Sequence, residues 1–378
     1  MKEMAKTAAD FFAGIGLVGE GLRHGGWTVK YAVDYDENKK VMYENHFGPG
    51  HYHIKDVGQV SVKEVPDVAL IHASFPCTDT SIAGSRGGIH NGESASFWKF
   101  IRILDEMQEK RPPIAMLENV EGLLTSNSGD DIRAVLEALS DLGYSVDIML
   151  IDAKHFVPQS RVRLFIIGVL NGNTQNVFEL EAMLQGTSAL RPPKIQHVIR
   201  KNSHLNWHIR HLPALPERTT MLKDIVDQAA EWWPKERTEY LLNQMFDRHK
   251  QKINELMAID EWSYATAFRR MRKRDGKSRS TAEIRTDGIA GCLRTPKGGS
   301  ARQILIRAGK GRVDARLLNG IECARLMGVP DYRIKEDLGF NAVLFGFGDA
   351  VCASVVEWLA ENYLNPAFEE IMLDYAYE

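Results

Sequence analysis

The 378-residue sequence predicts a doubly wound α/β protein with a second, smaller domain. Three observations predict this fold class. Short apolar runs alternate with helical patterns over the first 170 residues, this alternation stops at about residue 171, and basic residues are concentrated in the region that follows. The length suits one large domain with an appendage, or two domains. A hydrophobic content of 44% excludes a disordered or collagen-like chain.

The apolar runs are short and bounded by turn or polar residues, as buried parallel strands are. Six strands are predicted over residues 8–12, 28–34, 68–75, 114–120, 145–152 and 163–170. Residues 97–110 and 130–142 place apolar side chains at helical spacing, and these helices end before Arg111-Pro-Pro and at Gly143. Two more helices are predicted over 317–327 and 350–363.

Taken alone, the net charge of −3 for the whole chain argues against a nucleic-acid partner, but the charge is unevenly distributed. Residues 191–316 contain 27 Lys and Arg and 14 Asp and Glu, a net charge of +13, whereas the remainder carries −16. The run RRMRKRDGKSR at 269–279 holds seven basic residues, and four of the seven tryptophans lie between residues 171 and 285: Trp207, Trp232, Trp233 and Trp262. A solvated helix face is one interpretation of the basic run. A basic region interleaved with aromatic residues favours a polyanion as partner.

The cysteines and the N-terminus indicate the compartment. Cys77, Cys292, Cys323 and Cys352 form no CxxC pair and are too scattered for a disulfide framework, so they are typical of small buried hydrophobic residues in a reducing compartment. The first residues contain no apolar signal-peptide core, and no run of 18 apolar residues predicts a transmembrane helix. We expect a soluble, cytoplasmic protein with no membrane partner and no metal.

The first motif, Asp10-Phe-Phe-Ala-Gly-Ile-Gly16, lies where the first strand turns into a helix. Gly14 and Gly16 allow a ligand to approach the backbone closely, and the helix adds its positive end. The spacing is neither GxGxxG nor a P-loop. Asp34 ends the second strand, where a carboxylate accepts hydrogen bonds from ribose hydroxyls, and Asp56 stands at the next candidate strand end. The pattern favours an adenosine-containing cofactor over a plain tight turn.

Three further motifs follow strands, at the ends where α/β enzymes place catalytic groups. Cys77 in SFPCTDTS is a candidate nucleophile, although a lone cysteine is more often structural. Glu118 in ENV suits a general acid or a hydrogen-bond donor. Arg161 and Arg163 in QSRVR point the same way from an extended segment, which suits clamping an anion.

In this order the motifs resemble those of the cytosine-C5 DNA methyltransferase family. The family pattern runs DLFAGIGG, FPC, ENV, QxRxR and GN-A-V, and this chain has DFFAGIG, SFPCTDTS, ENVEG, QSRVR and GDAV. Residues 318–331, LNGIECARLMGVPD, are similar to the family segment before the last motif. The resemblance covers about 10–170 and 285–363, roughly two-thirds of the chain.

The resemblance implies a Rossmann-like S-adenosylmethionine-dependent methyltransferase fold. It implies a catalytic, cofactor-binding domain over 1–170 and a basic, DNA-binding target-recognition domain over 171–285. Residues 286–378 would return to the catalytic domain and include the C-terminal helix.

The resemblance also implies a site for S-adenosyl-L-methionine. Phe12 would stack on the adenine, and Gly14 and Gly16 would lie beneath the amino-acid part. Asp34 would hold the ribose hydroxyls and Asp56 the adenine amine. Other residues assigned to this site are Ala13, Pro76, Asp349, Ala350 and Val351. The chain departs from the family pattern at Phe11 (usually Leu), Thr78 (usually Gln) and Asp349 (usually Asn). We hypothesise that the added carboxylate of Asp349 changes cofactor affinity or choice.

For catalysis, the resemblance implies that Cys77 adds to C6 of cytosine and that Glu118 binds the ring nitrogen and the exocyclic amine. Arg163 would support the base and orient Glu118, and Arg161 would touch phosphate or position the active-site loop. The target base must be flipped out of the duplex, and the stretch 83–96 is expected to form a mobile loop that closes over it. Candidate DNA contacts are Ser81, Arg86, Arg269, Arg270, Arg272, Lys273 and Arg274.

The leading interpretation is a methyltransferase that acts on double-stranded DNA in a restriction-modification or phage-defence system, with cognate restriction or defence proteins as candidate partners. A tRNA cytosine-C5 methyltransferase with the same motifs is the alternative, and the long basic insert favours duplex DNA. A catalytically silent DNA-binding protein conflicts with the retention of Cys77, Glu118 and Arg163. A Rossmann oxidoreductase lacks its fingerprint spacing.

Overall fold

A computed structural model describes residues 4–76, 96–185, 188–274, 277–295 and 302–377. Its larger part is a seven-stranded sheet in the order β3-β2-β1-β4-β5-β7-β6. The strands are β1 (Thr7–Phe11), β2 (Thr28–Asp34), β3 (Tyr52–Ile54), β4 (Leu70–Ala73), β5 (Ile114–Val120), β6 (Tyr144–Asp152) and β7 (Val162–Leu170). Neighbours from β3 to β5 pair in parallel, whereas β7 is antiparallel to both β5 and β6.

This sheet confirms the predicted α/β alternation. Strands β2 and β5 begin and end at the predicted residues, and the other four predicted strands differ by one or two residues at their ends. Strand β3 is not predicted, because three residues are too short for a periodic pattern. The described helices of this part are α1 (Leu17–His24), α2 (Glu37–Phe47), α3 (Ser96–Met107), α4 (Asp130–Asp141), α5 (Val177–Met183) and α6 (Pro193–Lys201).

Two apolar cores cover the two faces of the sheet, because successive side chains of a strand point to opposite sides. In β4, Leu70 packs into one core, whereas Ile71 and Ala73 pack into the other. Helix α1 and the C-terminal helices cover the first face, and α3, α4 and α6 cover the second. The sheet is therefore doubly wound, as predicted.

The parallel pairing of β2, β1, β4 and β5 brings the carboxyl ends of these strands to one edge of the sheet. That edge carries the turn that contains Phe12, the Asp34 carboxylate, the Phe75-Pro76 segment and Glu118. In open α/β sheets this edge is where ligands bind. The candidate motifs, though distant in sequence, are thus neighbours in space.

The second part is a four-stranded antiparallel sheet in the order β11-β10-β8-β9. Its strands are β8 (Ser263–Arg274), β9 (Lys277–Arg285), β10 (Ile304–Gly309) and β11 (Arg312–Leu317), and its helices are α7 (Lys235–Asn243) and α8 (Asp247–Met257). The expected boundary at residue 285 falls inside this sheet, because β8 pairs with β10 as well as with β9.

The start of the expected second domain belongs with the larger sheet instead. Helix α6 and Trp207 are buried in one of the two cores of that sheet, together with Ile195 and Ile199. The compact second unit therefore begins near α7 and continues through β11. The basic stretch 191–316 extends over both parts.

The C-terminal helices return to the first face of the large sheet. They are α9 (Gly320–Leu326), α10 (Phe340–Asp349), α11 (Ala353–Leu359) and α12 (Asn365–Tyr377), with a π-helical turn between α11 and α12. The helix predicted over 317–327 begins at Gly320, because Asn319 caps it through a capping box with Glu322. Phe340–Asp374 is apolar and long enough to cross a membrane by length and composition alone, and most of it is buried inside the protein.

Candidate active site

The turn after β1 has a backbone conformation that residues other than glycine rarely adopt. Phe12, Gly14 and Gly16 have φ angles of 58°, 57° and 82°. A Cβ at Gly16 would lie 2.5 Å from the Phe47 ring and 2.6 Å from the Tyr43 ring. Both the dihedral and the available space therefore require glycine at position 16. Phe12 keeps its left-handed conformation at a cost of about 1–3 kcal/mol, which is typical of functional turns.

Asp34 is buried at the end of β2 and faces this turn. Its Oδ2 accepts a hydrogen bond from the Gly14 backbone N–H (3.0 Å), and its Oδ1 accepts one from the Asp36 backbone N–H (3.0 Å). Burial raises the pKa of Asp34, and Lys39 and the two backbone donors oppose this shift. Each carboxylate oxygen has a second lone pair, so the group suits a pair of hydroxyls.

Tyr35 follows Asp34 directly and is a functional candidate that the sequence motifs did not single out. Its ring is 60% exposed, although large aromatic side chains are usually buried. An exposed ring beside a carboxylate that suits ribose is well placed to stack on a nucleobase. The signal that could have identified Tyr35 from the sequence is an aromatic residue directly after the acid that ends the strand.

Asp56 follows β3 and caps a short 3-10 turn by accepting a hydrogen bond from the Gly58 backbone N–H at 2.7 Å. Lys99 of α3 lies with its Nζ 2.9 Å from Asp56 Oδ1. The hydrogen bond from Lys99 lowers the pKa of Asp56. Asp56 is thus an ionised, half-exposed carboxylate at the same edge as Asp34, and Lys99 is a partner that sequence reasoning missed.

Asp349 is the last residue of α10, and its carboxylate is paired with a lysine. Lys39 Nζ lies 3.0 Å from Asp349 Oδ2. Burial lowers the pKa of Lys39, but Asp349 and Asp34 outweigh this and raise it. The carboxylate that distinguishes this chain at position 349 therefore has a counter-charge. The neighbouring Ala350 is half-buried and Val351 is buried.

Glu118 and Arg163 form the central ion pair of the site. Arg163 Nε lies 2.9 Å from Glu118 Oε1, and both side chains are largely buried. The antiparallel register places Arg163 opposite Val120, so Glu118, two residues earlier, lies diagonally across on the same face. The sequence predicts both residues, and the structure brings them into contact.

The Arg161 side chain is buried and cross-links backbone segments of the protein. This differs from the phosphate contact that was one of its two expected roles. Its Nη1 donates to the Leu293 carbonyl oxygen (2.8 Å) and to Cys292 Sγ (3.2 Å). Its Nη2 donates to the carbonyl oxygens of Gly348 (3.1 Å) and Ala350 (2.5 Å). With 2% of its surface exposed, Arg161 ties the GDAV segment to residues 292–293. This geometry suits the positioning role.

The nucleophile candidate lies outside the described residues, as do Thr78, Ser81, Arg86 and nearly all of the loop expected over 83–96. Cys77 itself directly follows the last described residue of this segment, Pro76. The Asn119 side chain donates a hydrogen bond to the Phe75 carbonyl oxygen at 3.2 Å. The segment that leads into Cys77 is therefore hydrogen-bonded to β5, the strand that carries Glu118.

A buried Asp–His–Ser chain supports the same strand end. His72 Nδ1 lies 2.7 Å from Asp10 Oδ1, and His72 Nε2 lies 3.1 Å from Ser74 Oγ. The carboxylate accepts, so Nδ1 carries a proton, and the Ser74 hydroxyl serves as the partner of Nε2. Sequence reasoning missed this chain, because Asp10 and His72 are 62 residues apart.

Strand alternation divides the predicted basic cluster between two faces of the second sheet. Arg270 and Arg272 share the face opposite the apolar core with two arginines of β9, Arg279 and Arg285. On this basic face, Thr266 Oγ1 donates to the Ile289 carbonyl oxygen at 3.4 Å, in the segment that leads back to the large sheet. The basic face is therefore turned towards the segment that enters the active site.

Arg269 and Lys273 lie on the core side of the sheet. Arg269 is half-buried and donates to the Gln244 side chain at 2.8 Å, and Lys273 is exposed beyond the core. Arg272 is paired with Glu283 at 2.7 Å. The Arg274 side chain lies outside the described part of the structure. Two of the tryptophans, Trp232 and Trp262, stack on the Arg307 guanidinium of β10.

Comparisons with known proteins show the family to which the chain belongs. The family model "C-5 cytosine-specific DNA methylase" matches residues 7–365. Type II methyltransferase M.Bsp6I from Bacillus sp. (strain RFL6) is 32% identical over 166 residues, which cover 43% of this chain and about half of the relative, 52%. Type II methyltransferase M.HhaI from Haemophilus parahaemolyticus is 26% identical over 358 residues, 93% of this chain and 92% of the relative.

A solved structure shares the fold. The Entamoeba histolytica methyltransferase EhMeth covers 98% of this chain and 99% of its own with a TM-score of 0.64 and 12% sequence identity. The family match includes the turn after β1, the Glu118–Arg163 pair and the second sheet. Since that match extends through nearly the whole chain, the chain belongs to the C-5 cytosine-specific DNA methylase family.

Proposed function

We propose that the protein is a DNA cytosine-C5 methyltransferase, which flips a cytosine out of double-stranded DNA and methylates its C5. The observation that carries this proposal is the buried ion pair of Glu118 and Arg163. It lies at the end of β5, beside the strand end that leads into Cys77. A carboxylate and a cysteine on neighbouring strand ends are the two groups that addition to a cytosine ring requires.

The residues at the edge of the sheet fit S-adenosyl-L-methionine as the methyl donor. Asp34 would offer both carboxylate oxygens to the ribose hydroxyls, and the ring of Phe12 or of the exposed Tyr35 would stack on the adenine. Gly14 and Gly16 let the amino-acid part approach the backbone, and Asp56 suits the adenine amine. When bound, this cofactor supplies the electrophilic methyl group that C5 receives.

The chain's own residues supply the remaining chemistry. The Cys77 thiolate adds to C6, forming a C–S bond, and the electron pair of the C5–C6 double bond becomes available at C5. Glu118 holds a proton at the ring nitrogen N3, which disperses the charge that develops on the ring. After methylation, a water molecule takes the proton from C5, its electron pair re-forms the C5–C6 double bond, and the C–S bond breaks, which releases Cys77 as a thiolate. Arg163 keeps Glu118 oriented throughout.

The basic face of the second sheet supports DNA as the substrate. Guanidinium groups on one face suit a row of phosphates, and each phosphate contact contributes to the salt dependence of binding. Arg270→Ala should reduce the slope of log affinity against log salt by about 0.9. Lys273→Ala, on the opposite face of the same hairpin, is the matched control and should change it less. Equal slopes for the two variants would contradict this assignment of faces.

The decisive experiment incubates labelled S-adenosyl-L-methionine with duplex DNA and with tRNA, using the wild type and Cys77→Ser. Label in DNA that is lost in Cys77→Ser is the expected result. Label in tRNA alone would establish the alternative substrate, and no transfer with intact DNA binding would establish a silent DNA-binding protein. A covalent adduct on DNA that contains 5-fluorocytosine tests the nucleophile independently, because that base has no proton to lose from C5.

The names of M.Bsp6I and M.HhaI, both type II methyltransferases, support a role in a restriction-modification system. Such a role requires methylation within one short sequence, so that a cognate nuclease is blocked. Bisulfite sequencing of DNA from expressing cells measures this directly. Methylated cytosines in a single sequence context are expected, and methylation scattered over many contexts would contradict the defence role.

A further inference from the structure

The second sheet sends part of its chain to the active site between two of its own strands. The chain leaves the sheet at Arg285, the last residue of β9, and returns to it at Ile304, the first residue of β10. Residues 286–295, which we call the connecting segment, lie between these two points. Ala290 of this segment forms a parallel β-bridge with Gln159, the first residue of the QSRVR motif. The sheet that carries the basic face is therefore joined to the turn before β7.

Gln159 lies at this junction, and its side chain is completely buried. Its Nε2 donates to the Leu326 carbonyl oxygen at 2.7 Å and to Met327 Sδ at 3.3 Å, at the end of α9. Its Oε1 accepts a hydrogen bond from the Leu293 backbone N–H at 2.9 Å. An amide suits this position because it donates and accepts at once, whereas an ionised carboxylate cannot donate and an apolar side chain does neither. Gln159 thus links the connecting segment to the C-terminal helices.

Alternate side chains of the QSRVR motif hold both polar groups of the Leu293 backbone. The Leu293 N–H donates to Gln159, and its carbonyl oxygen accepts from Arg161 Nη1 at 2.8 Å. The next alternate residue, Arg163, lies with its Nε 2.9 Å from Glu118 Oε1. One short run of the chain therefore fixes both the connecting segment of the second sheet and the orientation of the catalytic carboxylate.

We propose that Gln159 is a positioning residue for the DNA: by fixing Leu293, it sets the position of the basic face relative to Glu118. This inference rests on the proposed function. If the Leu293 contact is lost, DNA still binds, because the arginines that face the phosphates are unchanged. The target cytosine then reaches Glu118 in more than one position, and a misplacement of about 1 Å can cost about 100-fold in rate. Sequence readout suffers as well, because base contacts require a fixed register on the duplex.

The first test measures the contact itself in the full-length protein, without substrate. Gln159→Met replaces the amide by an apolar side chain of similar length. Amide hydrogen exchange, resolved to single residues by fragmentation mass spectrometry, should be about tenfold or more faster at the Leu293 N–H in this variant. The Ala290 N–H, which donates to the Pro158 carbonyl oxygen at 2.7 Å, is the internal control and should change less. Unchanged exchange at Leu293 would overturn the proposal.

The second test measures rate, affinity and sequence discrimination on the same genomic DNA. Gln159→Met should lower the single-turnover rate about tenfold or more, while DNA affinity changes less than about twofold. By bisulfite sequencing, its preference for the wild-type context over contexts that differ by one base pair should fall about fivefold or more.

Gln196→Met is the matched control for the loss of a buried amide. Gln196 lies in α6, and its Nε2 donates to the Arg191 carbonyl oxygen at 3.1 Å. This variant should keep the wild-type discrimination. A merely structural role for Gln159 would reduce the amount of active protein but leave the discrimination ratio unchanged. Wild-type discrimination in Gln159→Met would therefore overturn the proposal.

The outcomes separate this inference from the proposed function. If the wild type transfers no methyl group to DNA, the proposed function fails before any variant is compared. If the wild type is active and folded Gln159→Met keeps its rate and discrimination, the inference alone fails. Thermal unfolding checks that each variant is folded. Should Gln159→Met not fold, Gln159→Asn takes its place with the same expectations, because its amide is one methylene too short to reach Leu293.

Discussion

Replacing Gly16 by alanine should destabilise the protein by about 2–5 kcal/mol, from two separable causes. The left-handed backbone, with φ 82°, costs a non-glycine residue about 1–2 kcal/mol. The new Cβ would lie 2.5 Å from Phe47 Cε2 and 2.6 Å from the Tyr43 ring, and overpacking of this kind costs about 1–3 kcal/mol. Tyr43 has little freedom to yield, because its ring is buried and its hydroxyl is hydrogen-bonded to His51 at 2.8 Å.

Gly26→Ala is the matched control. Gly26 has nearly the same φ, 87°, but no described heavy atom lies within 4 Å of a Cβ built there. Its loss should be the backbone cost alone, about 1–2 kcal/mol. The difference between the two variants therefore isolates the contact with the two aromatic rings.

Equilibrium unfolding in urea, followed by tryptophan fluorescence, measures both losses. The slope of free energy against urea concentration should be the same in both variants, so that midpoints compare directly. Calorimetry with S-adenosyl-L-methionine should show weaker binding for Gly16→Ala and unchanged binding for Gly26→Ala. Equal destabilisation of the two variants within about 0.5 kcal/mol would refute the reasoning, because Gly16 would then be required for its dihedral alone.

Three further predictions follow from the ion pairs. Arg163→Leu leaves the catalytic carboxylate without its partner and should lower kcat by about 100-fold or more in single-turnover assays, whereas a loss below tenfold would contradict the orienting role. Asp349→Asn frees its lysine to compete for the ribose-binding carboxylate and should weaken cofactor binding about two- to tenfold by calorimetry; unchanged binding would count against it. Burial raises the pKa of Glu20, but hydrogen bonds from Arg23 and the nearby charges of His46 and Arg23 lower it to about 2, so its stabilisation is present above pH 4.5 and lost as the pH falls towards 2. The stability difference between wild type and Glu20→Gln, about 2–3 kcal/mol near pH 6, should shrink on acidification, and a constant difference would contradict this origin.

The large sheet was predictable because its signals are local. Strands buried on both faces are short, continuous apolar runs, and their turn and polar boundaries set the ends of β2 and β5 to the residue. Parallel pairing then brings the carboxyl ends together, so the positions of Asp34 and Glu118 follow from strand order. The chemical groups at these strand ends could therefore be predicted from the sequence alone.

The second sheet was not predictable from local patterns. At the hairpin of β8 and β9, charged and polar residues such as Arg270, Arg272 and Lys273 occupy both faces, so no apolar alternation marks the strands. The sheet is extended by β10, which pairs with β8 although the two strands are about 40 residues apart in the sequence. Long-range pairing of this kind is decided by burial in the folded chain rather than by nearby residues.

By itself, the sequence determined which chemical groups stand at the strand ends: a cysteine, a carboxylate, two arginines and a turn that requires glycine. Only the tertiary structure decided how they are paired. It buries Arg161 among backbone carbonyls while Arg163 holds Glu118, it places Lys39 beside Asp349, and it brings Cys292 to Arg161 from 131 residues away. The physical reason is that the energy of a charged group depends on its burial and on the groups in contact with it. Both are set by the packing of the folded chain and cannot be obtained from residue type and spacing.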